Sequence, residues 1–473
     1  MFANHHESIT AGRRASWHHQ NAGFASLASS GPGAPGEHRH AAQPAPADGA
    51  PMIPNLPPGP MELQADGAPR RIALYSHDTM GLGHMRRNLL IAQALSRPPL
   101  QATVLMIAGA RRATAFALPP SVDCLCLPAL HKGLDGQYSS RRLNMSLEKL
   151  INLRANTIKV ALEAFEPDVL IVDNVPRGVR RELDPTLEYL RARGRTHCVL
   201  GLRDVLDDPA VVRREWTEAA NEGAIHEYYD SVWIYGDPAV YDMVNKYGFS
   251  ADLAAKVHYT GYFDQRARLE FAAAEDIGPA SDIKLPKGPI ILCTLGGGQD
   301  GAQLAEAFAQ TQFPTGATGV LLTGPSLPED VQQRLHRRAA RNPRLRVLEF
   351  FPEPTPLLRR AERVIAMGGY NTVNEIISFE KRALIVPRSR PRLEQQIRAE
   401  RLRDLGLIDM LCADQVTPAA LSAWLTRDMA PQPHLAGRIN LMGLTKLPQL
   451  LKEVFTTFTC PGPTGPAPYV DAC

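Results

Sequence analysis

Between Arg363 and Leu405 the chain reads RVIAMGGYNTVNEIISFEKRALIVPRSRPRLEQQIRAERLRDL: a strand, a double-glycine turn, a helix and a second strand with no slack between them. Val364, Ile365 and Ala366 form a short apolar run suited to a parallel strand buried on both faces. Gly368 and Gly369 let the backbone turn tightly and come close to a ligand. The helix is expected to start near Asn371, which turns its free N–H groups and the positive end of its dipole toward the turn. A phosphate would sit there, so the layout suits a nucleotide diphosphate. Glu375 lies one turn in. Past the next strand, Ala383 to Val386, come Pro387 and the polar cluster Arg388, Arg390, Glu394, Gln395 and Gln396.

Strands and helices alternate upstream in the same way. Arg71 to Ser76, Ala102 to Ile107, Val169 to Val172, Cys198 to Leu202 and Ser231 to Tyr235 read as strands. Gly83 to Ser96 and Met145 to Phe165 read as helices, and Asp123 to Ser140 as mostly loop. A second set of strands is expected at Ile290 to Leu295, Gly319 to Thr323, Arg346 to Phe350, Val364 to Ala366 and Ala383 to Val386, with a weaker one at Leu407 to Leu411. Asp173-Asn174, Arg203-Asp204 and Gly236-Asp237 stand at strand ends, where open α/β sheets bind ligands and where the same residues also cap helices.

Residues 363 to 405 resemble the donor-binding half of family 28 glycosyltransferases. These belong to the GT-B group that includes the N-acetylglucosaminyltransferase of peptidoglycan lipid-intermediate synthesis. VLEFFP, from Val347 to Pro352, is similar to the loop that frames the nucleotide base, and LGGGQDG, Leu295 to Gly301, to the glycine-rich loop. HDTMGLGHMRRN, His77 to Asn88, is similar to the first glycine loop, which ends in a histidine. The likeness covers roughly residues 70 to 430. It implies a GT-B architecture, two Rossmann-like doubly wound domains facing across a cleft. TGYFDQR, Thr260 to Arg266, is similar to the family's domain junction. The expected division is a leader over 1–68, an acceptor domain over 69–262, a donor domain over 263–430, a closing helix within 431–458 and a loose tail over 459–473.

The 473 residues, 44% of them hydrophobic, are enough for two cores of ordinary size, and a net charge of +3 is too small to argue for nucleic acid. Arg177, Arg180, Arg181, Arg191, Arg193 and Arg195 crowd one region, either a solvated helix face or a contact surface for anionic lipid. The seven cysteines form no C-x-x-C pair and read as reduced thiols in a cytoplasmic protein that meets the inner face of the membrane, if at all, from its surface. The leader is rich in Ala, Pro, Gly and His, the composition of a disordered segment.

Gly296, Gly298 and Gly301 also satisfy G-x-G-x-x-G, the dinucleotide fingerprint. The next strand ends in Thr323-Gly324 with no acid for a ribose, and neither glycine loop carries the G-K-[ST] of a P-loop, so nicotinamide and ATP chemistry are disfavoured.

His84 is the candidate base: an imidazole suits proton transfer near neutral pH, and it opens a helix behind Gly81-Leu82-Gly83. Asp78 and His77 are the competing bases. Glu375 fits a capping box with Thr372, while the resemblance assigns it to the nucleotide ribose. The resemblance also implies donor contacts from Gly83, Gly297, Gly298, Gln299, Phe351, Gly368, Gly369, Asn371, Thr372, Glu394 and Gln395. Arg266 or Arg388 would offset charge on the leaving diphosphate.

The chain departs from the family it resembles at Gln299 and Asp300, where small hydroxyl residues are common in that family's glycine loop, and at Phe379-Glu380-Lys381, which replaces its small-residue and glycine turn. The implied reaction is sugar transfer with inversion from a nucleotide-diphosphate donor, a UDP-sugar by resemblance, to a lipid-linked or polysaccharide hydroxyl, with no metal and no cofactor. A nucleotide-sugar hydrolase of the same fold and a non-catalytic nucleotide-sugar-binding protein are the alternatives.

Overall fold

The computed structural model describes residues 69–77, 83–109, 118–133, 137–274, 287–349, 351, 353–427 and 437–458. The expected leader, the expected tail and Asp78 lie outside the described residues. Two fully parallel sheets carry the fold. The first is built from β1 (Arg71–Ser76), β2 (Thr103–Ala108), β3 (Val122–Cys126), β6 (Val169–Asp173), β7 (His197–Arg203), β8 (Ser231–Tyr235) and β9 (Val257–Tyr259), in the order β3-β2-β1-β6-β7-β8-β9. An antiparallel hairpin of β4 (Leu130–Lys132) and β5 (Tyr138–Ser140) stands apart from it. The second sheet joins β10 (Ile290–Thr294), β11 (Thr318–Leu322), β12 (Leu345–Leu348), β13 (Ala361–Ala366), β14 (Arg382–Ile385) and β15 (Asp409–Met410), in the order β12-β11-β10-β13-β14-β15.

The strands read as apolar runs because both faces are covered: every residue of β6, β8 and β11 is buried. The edges of the first sheet escaped sequence reading. β3, from its second residue on, falls in the stretch expected to be mostly loop, and its half-exposed VDCLC shows no apolar run because an edge strand is covered on fewer sides. β9, on the opposite edge, is three residues long and was likewise not anticipated. No described helix is long and apolar enough to cross a membrane.

The strand order reverses between β1 and β6 in the first sheet and between β10 and β13 in the second. Each reversal opens a crevice at the carboxyl ends of the strands, the place where doubly wound sheets bind ligands. One apolar cluster runs through both domains, from Ile72, Leu74 and Ile171 by way of Tyr262 and Phe263 to Leu292, Val364 and Tyr370. The helix Gly443–Phe458 packs against the helix Gly83–Leu95 and adds Leu447, Leu451 and Phe455 to that cluster.

Polar contacts fix the seam. Arg398 is fully buried and holds Asp204 through Nη2 at 2.6 Å and Nε at 2.9 and 3.0 Å. Tyr262 Oη donates to the same carboxylate at 2.9 Å, and Arg398 Nη1 donates to the Gly368 carbonyl at 2.9 Å. Tyr370 Oη reaches the Tyr235 carbonyl at 2.8 Å. Asp207 accepts from Leu393 N at 2.7 Å and from Arg392 at 3.0 Å.

Removing either partner of the Asp204–Arg398 pair leaves the other charge buried without its counter-ion. Asp204→Ala and Arg398→Ala are each expected to cost about 3–5 kcal/mol, read from the shift in chemical-denaturation midpoint. A loss no larger than that of an exposed pair, about 1 kcal/mol or less, would show that the seam does not depend on it.

Candidate active site

The helix Gly83–Leu95 opens at the first crevice and places His84 at its second residue. Across the crevice, Asp173 ends β6 and is buried, 1% exposed. His84 Nδ1 lies 2.8 Å from Asp173 Oδ2. Arg87, one helical turn after His84 and on the same face, donates to both Asp173 oxygens at 2.5 and 2.6 Å. Burial alone would raise the Asp173 pKa, but Arg87 and then His84 outweigh it and hold the carboxyl well below the usual carboxylate range. An ionised Asp173 can only accept, so its contact with His84 calls for a proton on Nδ1, a nitrogen that also lies 3.0 Å from Arg87 Nη2, and does not involve Nε2. His77 stacks beside it, ring centroids 4.9 Å apart, with its Nδ1 buried and unpartnered among the described residues. Burial, then the neighbouring His84, pushes the His77 pKa down to about 3.

The second crevice supplies the other half. The helix Tyr370–Ser378 has Gly369 at its N-cap and no capping side chain, so its first N–H groups keep no intrahelical or capping partner. Asn371 Nδ2 donates to the Gly83 carbonyl at 2.9 Å, which joins this N-terminus to the residue preceding His84. Thr372 is half-buried on the first turn. After β10, Gly296, Gly297, Gln299 and Asp300 are exposed and Gly298 is buried. Gly298 has φ +88°, and a Cβ there would fall 2.2 Å from the Thr323 carbonyl oxygen, so only glycine fits. Asp300 accepts from Arg388 Nη1 at 2.6 Å, and Arg388 Nη2 reaches Glu394 at 3.0 Å while its backbone N donates to Gln395 Oε1 at 3.3 Å. The glycine-rich loop and the Glu394-Gln395 helix start are thereby one unit. Glu394 Oε2 is buried without a partner among the described residues. Phe351 is half-buried against the shared apolar cluster.

Glu375 is only 6% exposed and sits among Arg268 at 3.4 Å, Arg86 at 3.6 Å and Glu353. Burial raises its pKa, with Arg86 and Arg268 working against the rise. The capping-box reading does not hold: the N-cap is Gly369, which puts Glu375 a full turn too far into the helix. Arg266 is half-exposed and clamped by Asp264 at 2.6 Å. Its neighbour Arg268 instead turns inward, to Glu353 at 2.6 Å and to Glu375.

His84, Gly83, Asn371, Gly368 and Gly369 therefore converge, while Arg266 stays apart. Asp173 had been legible only as a polar strand end, and Arg87, Arg268 and Glu353 were not singled out. The i, i+3 spacing of His84 and Arg87 was the available signal. In the arginine-rich region, Arg177 and Arg181 pair with Asp184, Arg191 with Asp230 and Arg193 with Glu166, which favours the solvated face.

Residues 291–452 match the glycosyltransferase family 28 C-terminal domain. Among solved structures, CalG4, the calicheamicin glycosyltransferase, is 15% identical with a TM-score of 0.53 over 84% of this chain and all of its own. SnogD, a glycosyltransferase from Streptomyces nogalater, is 16% identical with a TM-score of 0.50 over 82% of this chain and 99% of its own. The UDP-GlcNAc 2-epimerase from Neisseria meningitidis, solved bound to UDP-GlcNAc, is 13% identical with a TM-score of 0.52 over 82% of this chain and 99% of its own. At these identities the likeness concerns the fold. No curated protein matches the sequence.

Because His77 folds neutral, the unfolded chain binds a proton that the folded chain does not between the ordinary value of 6.5 and about 3. Stability from this residue is complete above pH 6.5 and falls as pH drops through that window, by up to about 1.4 kcal/mol per pH unit. His77→Gln is expected to flatten the slope in denaturant melts across the window. An unaltered slope would mean that His77 is protonated in the fold.

Proposed function

We propose that this protein, a family 28 glycosyltransferase-like enzyme of the GT-B fold, moves a sugar from a nucleotide-diphosphate donor to an acceptor hydroxyl. The carrying observation is the hydrogen bond from Asn371 to Gly83, which sets an uncapped helix N-terminus against the residue before a buried-carboxylate-supported histidine. A helix N-terminus favours a departing diphosphate, and an imidazole that meets its carboxylate through Nδ1 rather than Nε2 favours taking a proton from an attacking hydroxyl. Both are needed at one anomeric carbon, and the seam brings them together.

In this reading His84 is the base and Asp173 holds its tautomer and stabilises the imidazolium as it forms. Arg87 keeps Asp173 ionised. Gly368, Gly369, Asn371 and Thr372 receive the diphosphate, with Gly83, Gly297, Gly298 and Gln299 completing the cradle. Phe351 lies against the base, and Glu394 and Gln395 take sugar hydroxyls, for which the unpartnered Glu394 Oε2 is suited. Glu375 reaches the ribose only if it exchanges Arg86 and Arg268 for the diol. A single displacement of this kind inverts the anomeric centre and requires no metal. The nucleotide sugar of the N. meningitidis structure supports a UDP-linked donor. The acceptor class proposed is a lipid-linked or polysaccharide hydroxyl, reached from the membrane surface where a lipid carries it.

The same histidine pair would also activate water, so hydrolysis is the second reading. Calorimetry with a panel of nucleoside diphosphates and their sugars is expected to show one tight ligand. His84→Ala should keep that affinity and lose transfer by about 10²–10⁴-fold. Free sugar released at full rate without any acceptor would favour the hydrolase. Unchanged transfer in His84→Ala would remove His84 from the chemistry.

A further inference from the structure

The seam is crowded with arginines, and nearly every one is matched. Arg87 has Asp173, Arg398 has Asp204, Arg392 has Asp207 and Glu215, Arg388 has Asp300 and Glu394, and Arg86 and Arg268 share Glu353 and Glu375. Arg203 stands apart. It is half-buried at the carboxyl end of β7, its Nε is buried, and it makes no hydrogen bond or ion pair among the described residues.

Strand register gives its direction. Gly201 pairs with Asp173, and Arg203 pairs with Tyr235. Alternation places Arg203 on the same sheet face as Gly201, hence on the face of Asp173 and Tyr235. Val199, Ile171 and Tyr235 on that face belong to the cluster shared with Tyr370 of the second domain. The Tyr235 ring lies across Gly201, where a Cβ would come within 2.1 Å of Oη. Tyr235 Oη is itself buried with no partner among the described residues, and burial raises its pKa, so it stays a donor. The Tyr235 carbonyl accepts from Tyr370, the first residue of the helix proposed to receive the diphosphate. Two buried donors without acceptors thus flank the point where the His84–Asp173 pair meets that helix. Burial, then Arg87 and Arg398, lower the Arg203 pKa, with Glu394 and Asp173 working against the fall.

We propose that Arg203, with Tyr235 beside it, is the oxyanion-binding element of the cleft and takes a phosphate oxygen of a bound substrate. The sequence had offered Arg266 or Arg388 for this charge, but both already hold carboxylates. The phosphate belongs either to the donor diphosphate or to a phosphate-bearing acceptor. This assignment rests on the transfer reading for its substrate but not for its chemistry.

The test is calorimetry on the full chain, wild type beside Arg203→Gln. The probes are the nucleoside diphosphate that the wild type binds, its nucleoside, and inorganic pyrophosphate with and without that nucleoside diphosphate. A fall of about 10- to 100-fold in diphosphate affinity, with nucleoside affinity kept, assigns the residue to the donor. Unchanged diphosphate affinity with loss of pyrophosphate binding to the nucleotide-saturated protein assigns it to the acceptor. Pyrophosphate binding that depends on Arg203 in a protein that binds no nucleotide would support the oxyanion site and sink the transferase reading. Wild-type affinities retained for every probe, or no pyrophosphate or diphosphate binding by the wild type, would overturn the proposal. Because Arg203 is buried in part and makes no ion pair among the described residues, Arg203→Gln is expected to melt at or above the wild-type temperature; a lower melting point would mark a structural arginine and overturn it as well.

Discussion

The buried Asp204–Arg398 pair is the contact on which the rest of the cleft depends. Asp204 follows β7 of the first sheet, and Arg398 lies on the helix Glu394–Asp404 of the second, 194 residues away in sequence. Arg398 also holds the Gly368 carbonyl, so one guanidinium locates the double-glycine turn against the first domain. Replacing such a pair by apolar residues is often neutral for stability, so its value lies in specifying one arrangement. An apolar seam could slide; a bidentate guanidinium with Tyr262 as a third partner fixes register and angle together.

That register brings two crevices into one. Each sheet reverses its strand order once, and each reversal leaves room at the strand ends for a loop. The first crevice presents an imidazole on a carboxylate, the second an uncapped helix start and a glycine loop too tight for any side chain at Gly298. Neither crevice alone presents both of the features that the proposed transfer needs. The Asn371–Gly83 and Tyr370–Tyr235 hydrogen bonds hold the halves at bonding distance, so the relative position of the domains is itself part of the candidate site.

Charge is handled by pairing. The carboxylates that reading strand ends one at a time would assign to substrate are divided among different tasks. Asp173 orients His84, Asp204 joins the domains, and Asp237 caps its own turn at Ala239 and holds the Asn440 backbone with its other oxygen. Their sequence contexts are alike, each following an apolar strand, and only the tertiary packing around each separates them. The same holds for the arginines, where Arg266 and Arg268 differ by two residues yet face solvent and seam respectively.

The sequence by itself determined the parallel α/β class, most of the central strands and the glycine-rich turns, because burial on both faces imposes apolar runs and tight turns impose glycine, and both are local constraints. It also marked His84 and the Gly368-Gly369 helix start, whose loop context is local too. It did not mark the edge strands β3 and β9, which are covered on fewer sides and carry mixed residues. The tertiary structure alone decided that Asp173 meets His84, that Glu375 is enclosed by Arg86 and Arg268, and that Arg203 is left without a hydrogen-bond or ion-pair partner among the described residues. Those outcomes depend on which side chains from distant segments arrive at the seam, and pairing across such separations leaves no period or spacing in the chain.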